Sequence, residues 1–270
     1  MAVHWLVFGL VSVALCSANL AQEIVAHRGA SYDAPENTMA AFELAWQQQA
    51  DAIEGDFYLT ADGQIVCIHD KDTARVSPQT EVLKISESDL EQLSSIDVGS
   101  WRAQEFSDQR IPTLAQVLTT VPPGKRIFIE IKCGPEILPE LEKQLAATDL
   151  QAEQVVIISF NPDVIRQFRE SMPNYKANWL VSYKQESNDF WSPSLASVLE
   201  TLKTSNATGL GTQGNLKVVD VAFARAIKNA GLELHVWTVN DPQEAEYWKS
   251  LSVDSITTDR PLLLRLSIER

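Results

Sequence analysis

Hydrophobic positions along the chain follow two alternating patterns. Short runs rich in β-branched residues alternate with segments whose apolar residues recur every three or four positions, which is typical of a parallel α/β fold. Amphipathic helices are predicted between most of the runs, for example around Met39, Phe42 and Trp46. Eight such units in about 250 residues predict a TIM (β/α)8 barrel. The eight predicted barrel strands are Ile24–His27, Ala52–Tyr58, Arg126–Lys132, Val155–Ser159, Ala177–Val181, Thr208–Thr212, Glu233–Thr238 and Asp254–Thr258.

One further run, Ile65–His69, does not fit the parallel series. Only residues 59–64 separate it from the second strand, and so short a connection joins antiparallel strands but not parallel neighbours. We therefore predict a β-hairpin, followed by a loop insertion over about residues 70–112 that returns to the barrel through a helix near Thr113–Thr120. The hairpin places His69 over the carboxyl ends of the strands, where the active sites of TIM barrels lie.

The amino-terminal end has the pattern of a cleavable signal peptide. A short apolar run is followed by small residues, which predicts a signal peptide over 1–18 and one TIM-barrel domain over 19–270. The protein is expected to be exported, to the periplasm or the extracellular space, without a membrane span after cleavage. A lipid anchor at Cys16 is the alternative. The remaining Cys67 and Cys133 are either a disulfide pair or two small buried residues.

The charge balance limits the partners of the protein. The chain has 22 Lys and Arg against 36 Asp and Glu, a net charge of −14 at pH 7. A surface of this charge repels nucleic acid and anionic membranes, so no nucleic-acid partner is expected. An anionic substrate must therefore be bound locally, by a metal ion or by a few well-placed cations.

Functional side chains are predicted at the carboxyl ends of the second and third barrel strands. Residues two apart in a strand point to the same face, so Glu54 lies beside Asp56 and Glu130 beside Lys132. Burying three carboxylates with one lysine leaves excess negative charge, which a divalent cation relieves. Oxygen ligands favour Ca²⁺, Mg²⁺ or Mn²⁺ over zinc. The alternative is a salt-bridge network with Lys132 and Arg28 and without a metal.

Two histidines fall at the ends of predicted strands. Two imidazoles that face one cavity, here His27 and His69, can serve as general base and general acid near neutral pH. His235 shares a face with Trp237 but lies deeper in its strand, so a position in the core is predicted for it.

Nine short motifs occur in order along almost the whole chain after the leader. They are His27-Arg28-Gly29, Pro35-Glu36-Asn37-Thr38, Ile53-Glu54-Gly55-Asp56, Thr60-Ala61-Asp62-Gly63, His69-Asp70, Ile111-Pro112-Thr113-Leu114, Ile129-Glu130-Ile131-Lys132, Val236-Trp237-Thr238-Val239-Asn240 and Thr258-Asp259-Arg260-Pro261. Together they resemble the glycerophosphodiester phosphodiesterase family. Members of that family are TIM barrels with an insertion above the barrel, which agrees with the predicted hairpin.

The resemblance implies hydrolysis of a small glycerophosphodiester to glycerol 3-phosphate and an alcohol. It implies that Glu54, Asp56 and Glu130 are the ligands of one divalent cation, Ca²⁺ or Mg²⁺. It also implies that His27 and His69 are the general base and general acid, in an order that the sequence leaves open. By the same analogy the attacking oxygen is the adjacent glycerol hydroxyl, which gives a cyclic phosphate that is then hydrolysed.

Four more motif residues are expected to bind the substrate. Arg28 and Lys132 supply the local positive charge that the acidic surface lacks. Glu36 either contacts the substrate or a water of the metal, or it pairs with Arg28. Trp237 either packs on the glycerol or plugs the barrel core.

Other motif residues are interpreted as structural. The loops outside the motifs offer only aromatic side chains as candidates for contact with the substrate. Asn37 or Thr38 caps the following helix, and Asp259 closes the end of the barrel. Candidates for an apolar channel to the leaving-group pocket are Trp101, Phe106, Phe190 and Trp191.

Two alternative functions are open on the same residues. Lysophospholipase D-type cleavage of lysophospholipids at this site is favoured if the mouth is broad and apolar. A barrel that binds a phosphorylated ligand without catalysis is the alternative outside the enzymes.

Overall fold

The chain folds around a closed barrel of eight parallel strands. The structure is a computed structural model that describes residues 22–78, 81–187 and 190–268. Its strands are β1 (Glu23–Ala26), β2 (Ala52–Leu59), β3 (Ile65–Cys67), β4 (Arg126–Ile131), β5 (Val155–Ser159), β6 (Lys176–Val181), β7 (Lys184–Ser187), β8 (Phe190–Ser192), β9 (Gly209–Gln213), β10 (Glu233–Trp237) and β11 (Ser255–Thr258). The barrel order is β1-β11-β10-β9-β6-β5-β4-β2, and parallel pairing of β1 with β2 closes it. The predicted TIM barrel is confirmed, and the predicted signal peptide and Cys16 lie outside the described residues.

Helices cover the outside of the barrel, and one short helix lies in the insertion after the hairpin. They are α1 (Met39–Gln47), α2 (Leu90–Ser94), α3 (Leu114–Leu118), α4 (Leu138–Ala147), α5 (Pro162–Ser171), α6 (Leu195–Thr204), α7 (Val221–Asn229), α8 (Pro242–Ser250) and α9 (Pro261–Ile268). Side chains such as those of Thr38, Asn161 and Asp241 cap them by accepting backbone N–H groups of the first turn. None of the described helices has the length and apolar character that crossing a membrane requires.

Apolar side chains form one layer between the barrel and the helices and a smaller group inside the barrel. Helix α5 contributes Val164, Ile165 and Phe168 to the outer layer, all fully buried. The group inside the barrel consists of Val25, Ala52, Phe128, Val156, Ile158 and Leu180. The lower barrel is therefore packed, and space for a ligand is left towards the carboxyl ends of the strands.

The hairpin after the second barrel strand is confirmed. Strand β3 pairs antiparallel with β2, with Phe57 opposite Cys67. The following insertion has an apolar cluster of its own, whose buried members are Val66, Ile68, Val76, Ile85, Leu93, Ile96, Val98 and Ile111. This cluster fixes the insertion beside the mouth of the barrel.

A second hairpin, formed by β7 and β8, was not predicted. Strand β7 is exposed along its whole length, so its sequence carries no alternation of apolar and polar residues. Antiparallel pairing with β8 holds this strand in place. An alternation of apolar and polar residues is the sequence signal that would have predicted it.

Gly29, just after β1, backs directly against helix α1. Its φ is +80°, and a Cβ at this position would lie 2.5 Å from the carbonyl carbon of Ala41. We expect Gly29→Ala to lower the free energy of unfolding by about 2–4 kcal/mol, because the backbone strain of an alanine at positive φ adds to the overlap of its Cβ with Ala41. Gly63 is the matched control, since its φ is +77° and no described atom beyond its chain neighbours lies within 4 Å of such a Cβ. Urea denaturation measures both variants, and equal losses would contradict the close contact at Gly29.

Candidate active site

The predicted site residues lie around one pocket at the mouth of the barrel. Its lining includes His27, Arg28, Glu54, His69, Glu130, Lys132 and Trp237. They lie on β2, β4 and β10, directly after β1 and β4, and at the end of the hairpin. The parallel barrel thus brings distant parts of the sequence together. Asp56 lies beside Glu54 and Glu130. Glu36 forms ion pairs with Arg28 and Arg75.

The carboxylate cluster consists of Glu54, Asp56 and Glu130. One oxygen atom from each residue lies within 4.8 Å of the others, because Asp56 and Glu130 are register partners on neighbouring strands. The three residues are 3%, 1% and 8% exposed. Three carboxylates are thus buried close to one another, as the spacing in the sequence predicts.

Two positive charges beside the cluster both contact Asp56, and one of them also contacts Glu130. Nζ of Lys132 lies 3.3 Å from Oδ1 of Asp56 and 2.7 Å from Oε1 of Glu130. Nε of Arg28 lies 3.1 Å from Oδ2 of Asp56. Burial works against the charged form of Asp56, but these two cations outweigh it and lower the pKa of this carboxyl. The salt-bridge network considered above is therefore present around Asp56.

Glu54 is not balanced in the same way. Its Oε2 accepts the backbone N–H of Arg28 at 2.9 Å, whereas its buried Oε1 has no hydrogen-bond partner among the described residues. Burial, together with the negative charge of Asp56, raises the pKa of Glu54 to about 8. An unpartnered buried oxygen within a set of three carboxylates fits a divalent cation with oxygen ligands.

Asn37 positions Asp56, a role that the sequence did not reveal. Its Nδ2 donates to Oδ2 of Asp56 at 2.8 Å, and its Oδ1 accepts the backbone N–H of Asp56 at 3.2 Å. Thr38 alone caps α1, through the backbone N–H of Ala41. Both residue types can cap a helix. Asn37 is instead bound to Asp56 of β2, a contact that the local sequence does not show.

Asp259, interpreted above as a structural residue at the end of the barrel, also contacts the predicted catalytic His27. Its Oδ1 lies 2.6 Å from Nδ1 of His27 and accepts the hydroxyl of Ser31 at 3.1 Å. Its Oδ2 accepts Nδ2 of Asn240 at 2.6 Å. Burial opposes the charge of Asp259, but the hydrogen bond with His27 prevails and lowers its pKa to about 2.

His69 belongs to a chain of alternating charges that includes Arg75. Nδ1 of His69 lies 2.7 Å from Oδ1 of Asp70, and Nε of Arg75 donates to Oδ2 of Asp70 at 2.6 Å. Arg75 also donates to both oxygens of Glu36, at 2.8 and 2.9 Å. Arg28 donates to Glu36 at 3.1 Å. Glu36 thus lies between two arginines, which favours its interpretation as an ion-pair partner.

The two histidines differ in their electrostatic surroundings. Burial disfavours the charged ring in both. At His27 the hydrogen bond with Asp259 and the charge of Glu54 outweigh burial and raise the pKa above the usual 6.5. At His69 burial prevails, helped by the charge of Arg28, and lowers the pKa. The site therefore favours the protonated ring more strongly at His27 than at His69.

The opposite wall of the pocket is apolar. Nε1 of Trp237 donates to the carbonyl of Gly211 at 3.0 Å, and the indole meets Phe160 edge to face at 5.5 Å. Within the described chain, the lining does not include the four aromatic residues suggested for an apolar channel, Trp101, Phe106, Phe190 and Trp191. The nearby loop residue Phe160 takes that position instead.

Two sequence interpretations concern residues next to the site. His235 is 4% exposed, and its Nδ1 lies 2.7 Å from Oγ of Ser255, which agrees with the predicted core position. Cys67 and Cys133 are free thiols. The disulfide is therefore not formed in this structure.

Comparisons with known proteins agree with this geometry. The model of the Glycerophosphoryl diester phosphodiesterase family matches residues 27–263. A glycerophosphodiester phosphodiesterase of Caldanaerobacter subterraneus is 31% identical over 88% of this chain and 94% of its own. The structure of an Oleispira antarctica phosphodiesterase in complex with the product sn-glycerol-3-phosphate has a TM-score of 0.80, at 26% identity over 92% of this chain and 97% of that chain. The structure of a Thermotoga maritima glycerophosphodiester phosphodiesterase has a TM-score of 0.72, at 25% identity over 90% of this chain and 96% of that chain. The chain therefore belongs to the glycerophosphoryl diester phosphodiesterase family, whose members are phosphoric diester hydrolases.

Proposed function

We propose that the protein hydrolyses glycerophosphodiesters to glycerol 3-phosphate and an alcohol, using one divalent cation and two histidines. The observation that carries this proposal is the single pocket into which His27, His69, Glu54 and Glu130 all face. The product bound to the Oleispira antarctica relative is sn-glycerol-3-phosphate, which supports the same class of product for this chain.

The cation would be held by Glu54, Asp56 and Glu130, whose oxygen ligands suit Ca²⁺ or Mg²⁺. When bound, it would supply positive charge at a phosphoryl oxygen and stabilise the charge that develops there. Lys132 and Arg28 hold the carboxylates in place through the contacts at 2.7 to 3.3 Å. They also provide the local positive potential that a phosphate needs on a chain of net charge −14.

The surroundings of the two histidines support a different role for each of them. Asp259 stabilises the protonated ring of His27, which makes His27 the general acid of the first step. The neutral ring that burial favours makes His69 the general base. In both residues Nδ1 faces a carboxylate, so Nε2 is the nitrogen that exchanges a proton with the substrate.

The proton transfers follow from these roles. Nε2 of His69 accepts the proton of the glycerol hydroxyl next to the phosphate while that oxygen bonds to phosphorus. Nε2–H of His27 donates its proton to the leaving alkoxide as the bond from phosphorus to that oxygen breaks, which gives an alcohol and a cyclic phosphate. Water then opens the cyclic phosphate with the two roles reversed, so glycerol 3-phosphate forms and both rings return to their starting states.

This assignment predicts the pH dependence of kcat/KM. The rate rises as the pH passes the lowered pKa of His69, because the base must be neutral, and falls as the pH passes the raised pKa of His27, because the acid must be protonated. In Asp259→Asn the carboxylate that raises the pKa of His27 is lost. We expect its alkaline limb to move to lower pH while its acid limb stays in place. An unchanged alkaline limb would contradict the role of Asp259.

The apolar wall suggests where the carbon skeleton of the substrate binds. Trp237 and Phe160 line the same pocket as Glu54 and Glu130, and their rings offer apolar surface to the glycerol carbons. Phe160 is also 43% exposed, so the apolar wall of the pocket extends to the protein surface. This favours lysophospholipids as the second candidate substrate class, since an acyl chain could follow that wall.

A substrate comparison tests the proposal. The purified protein is incubated with sn-glycero-3-phosphocholine or with lysophosphatidylcholine, each with Ca²⁺ or Mg²⁺, and the products are identified. We expect glycerol 3-phosphate and choline from the first substrate at the higher kcat/KM. Preferred release of choline from lysophosphatidylcholine would instead support the lysophospholipase D-type reaction. Hydrolysis of neither substrate would favour a barrel that only binds phosphorylated ligands.

A further inference from the structure

The insertion contributes Arg75 to the histidine site, a residue outside all nine sequence motifs. Its guanidinium group contacts Asp70 at 2.6 Å and both oxygens of Glu36 at 2.8 and 2.9 Å. Bidentate contacts of this kind fix direction as well as distance, which a lysine ammonium does not. Arg75 therefore joins the carboxylate partner of His69 to the loop before α1.

The backbone around Arg75 is fixed by the apolar cluster of the insertion. Val76, the next residue, is 5% exposed and packs in the same cluster as Ile68 and Ile85. Ile68 in turn precedes His69 directly. The arginine and the histidine thus lie on one packed unit, and their separation does not depend on a free loop.

The carboxylates that hold the two histidines differ in their second partners. Asp259 is otherwise bound by a neutral amide and a hydroxyl, so its full negative charge acts on His27. Asp70 shares its charge with Arg75. Asp70 can therefore orient His69 while favouring the protonated ring less strongly than Asp259 does at His27.

We propose that Arg75 is a positioning residue that holds Asp70 against Nδ1 of His69 and balances its charge, so that His69 stays neutral and presents Nε2 as the base. The inference rests on the proposed function for its catalytic consequence and on the contacts above for its structural part. Other charged groups that act on His69 or pair with Arg75 are Asp56, Arg28, Lys132 and Glu36. Arg28 and Lys132 each pair with Asp56, and these two ion pairs do not involve Arg75.

The Arg75→Gln variant separates this role from simple structural support. Arg75 has a side chain 42% exposed, so the variant is expected to fold. Proton NMR follows the titration of the His69 ring at a fixed Ca²⁺ concentration, and His69→Gln assigns its signal among the four histidines of the chain. We expect the midpoint for His69 to move to higher pH in Arg75→Gln. Arg75→Lys restores the charge without the bidentate contact, and should return most of the shift.

Activity gives the second measurement. Relative to the unchanged protein, Arg75→Gln should lose up to about fivefold in kcat/KM near pH 6 and less near pH 8, as expected for a partly exposed ion pair. Arg110→Gln is the matched control, because Arg110 lies on the same insertion and donates to the backbone carbonyls of Ser107 and Gln109. Its His69 midpoint and its pH profile should not change.

The outcomes distinguish this inference from the proposed function. An unmoved His69 midpoint in Arg75→Gln would overturn the role of Arg75, as would an equal shift in Arg110→Gln. If the midpoint moves but the unchanged protein hydrolyses no glycerophosphodiester, the proposed function fails and the positioning of His69 by Arg75 is supported.

Discussion

Replacement of His69 by alanine is expected to lower kcat by at least about a hundredfold, because it removes the ring that accepts the proton of the attacking hydroxyl. The carboxylate cluster keeps all three of its side chains, and the hydrogen bond that is lost is the one between His69 and Asp70. Steady-state kinetics on sn-glycero-3-phosphocholine measure the loss. Near-normal turnover would remove His69 from the mechanism.

Two controls test whether the loss comes from the missing proton transfer rather than from a lost metal ion. His69→Ala should bind Ca²⁺ as tightly as the unchanged protein, because its side chain is not one of the proposed ligands. His27→Ala should lose a similar factor on the choline diester, but should recover much of it on a diester with a p-nitrophenol leaving group, which needs no general acid. His69→Ala should not recover in this way. Recovery of His69→Ala instead would reverse the roles of the two histidines.

Glu130→Gln is expected to weaken divalent-cation binding by at least about tenfold, since even residues that only orient metal ligands cost this much when changed. The amide keeps the shape of the side chain but removes one negative charge from the cluster and the ion pair with Lys132 at 2.7 Å. Calorimetric titration with Ca²⁺ or Mg²⁺ measures the affinity. Activity at low metal concentration should fall with it.

Glu136→Gln is the matched control for this change. Glu136 lies in the turn after β4, is exposed, and accepts the backbone N–H of Gly134. Its removal subtracts the same charge from the chain without touching the cluster. An unchanged metal titration in Glu130→Gln, or an equal loss in Glu136→Gln, would contradict the ligand role of Glu130.

The barrel and the carboxylate cluster could be predicted because both follow from periodicity. Buried parallel strands are nearly continuous apolar runs, and charged residues within them stand out. Glu54 and Asp56 are two apart, as are Glu130 and Lys132, so strand geometry alone places each pair on one face. The hairpin followed from the six residues between the second strand and Ile65.

The residues that orient the site could not be predicted in the same way. Asn37, Asp259 and Arg75 act through contacts with residues that are distant in the sequence or on an aperiodic loop. Each also has an ordinary local explanation, such as a helix cap, a barrel end or a solvated charge. Only the closed barrel and the packed insertion decide where these side chains point.

The dependence of hydrolysis on a divalent cation is the central claim about this site. The most direct test measures release of glycerol 3-phosphate from sn-glycero-3-phosphocholine after treatment of the purified protein with EDTA, and again after Ca²⁺ or Mg²⁺ is returned in excess. We predict that activity is lost on chelation and restored by one of the two ions, because the buried Oε1 of Glu54 and its neighbouring carboxylates fit such an ion. Hydrolysis that is unaffected by chelation would contradict the account.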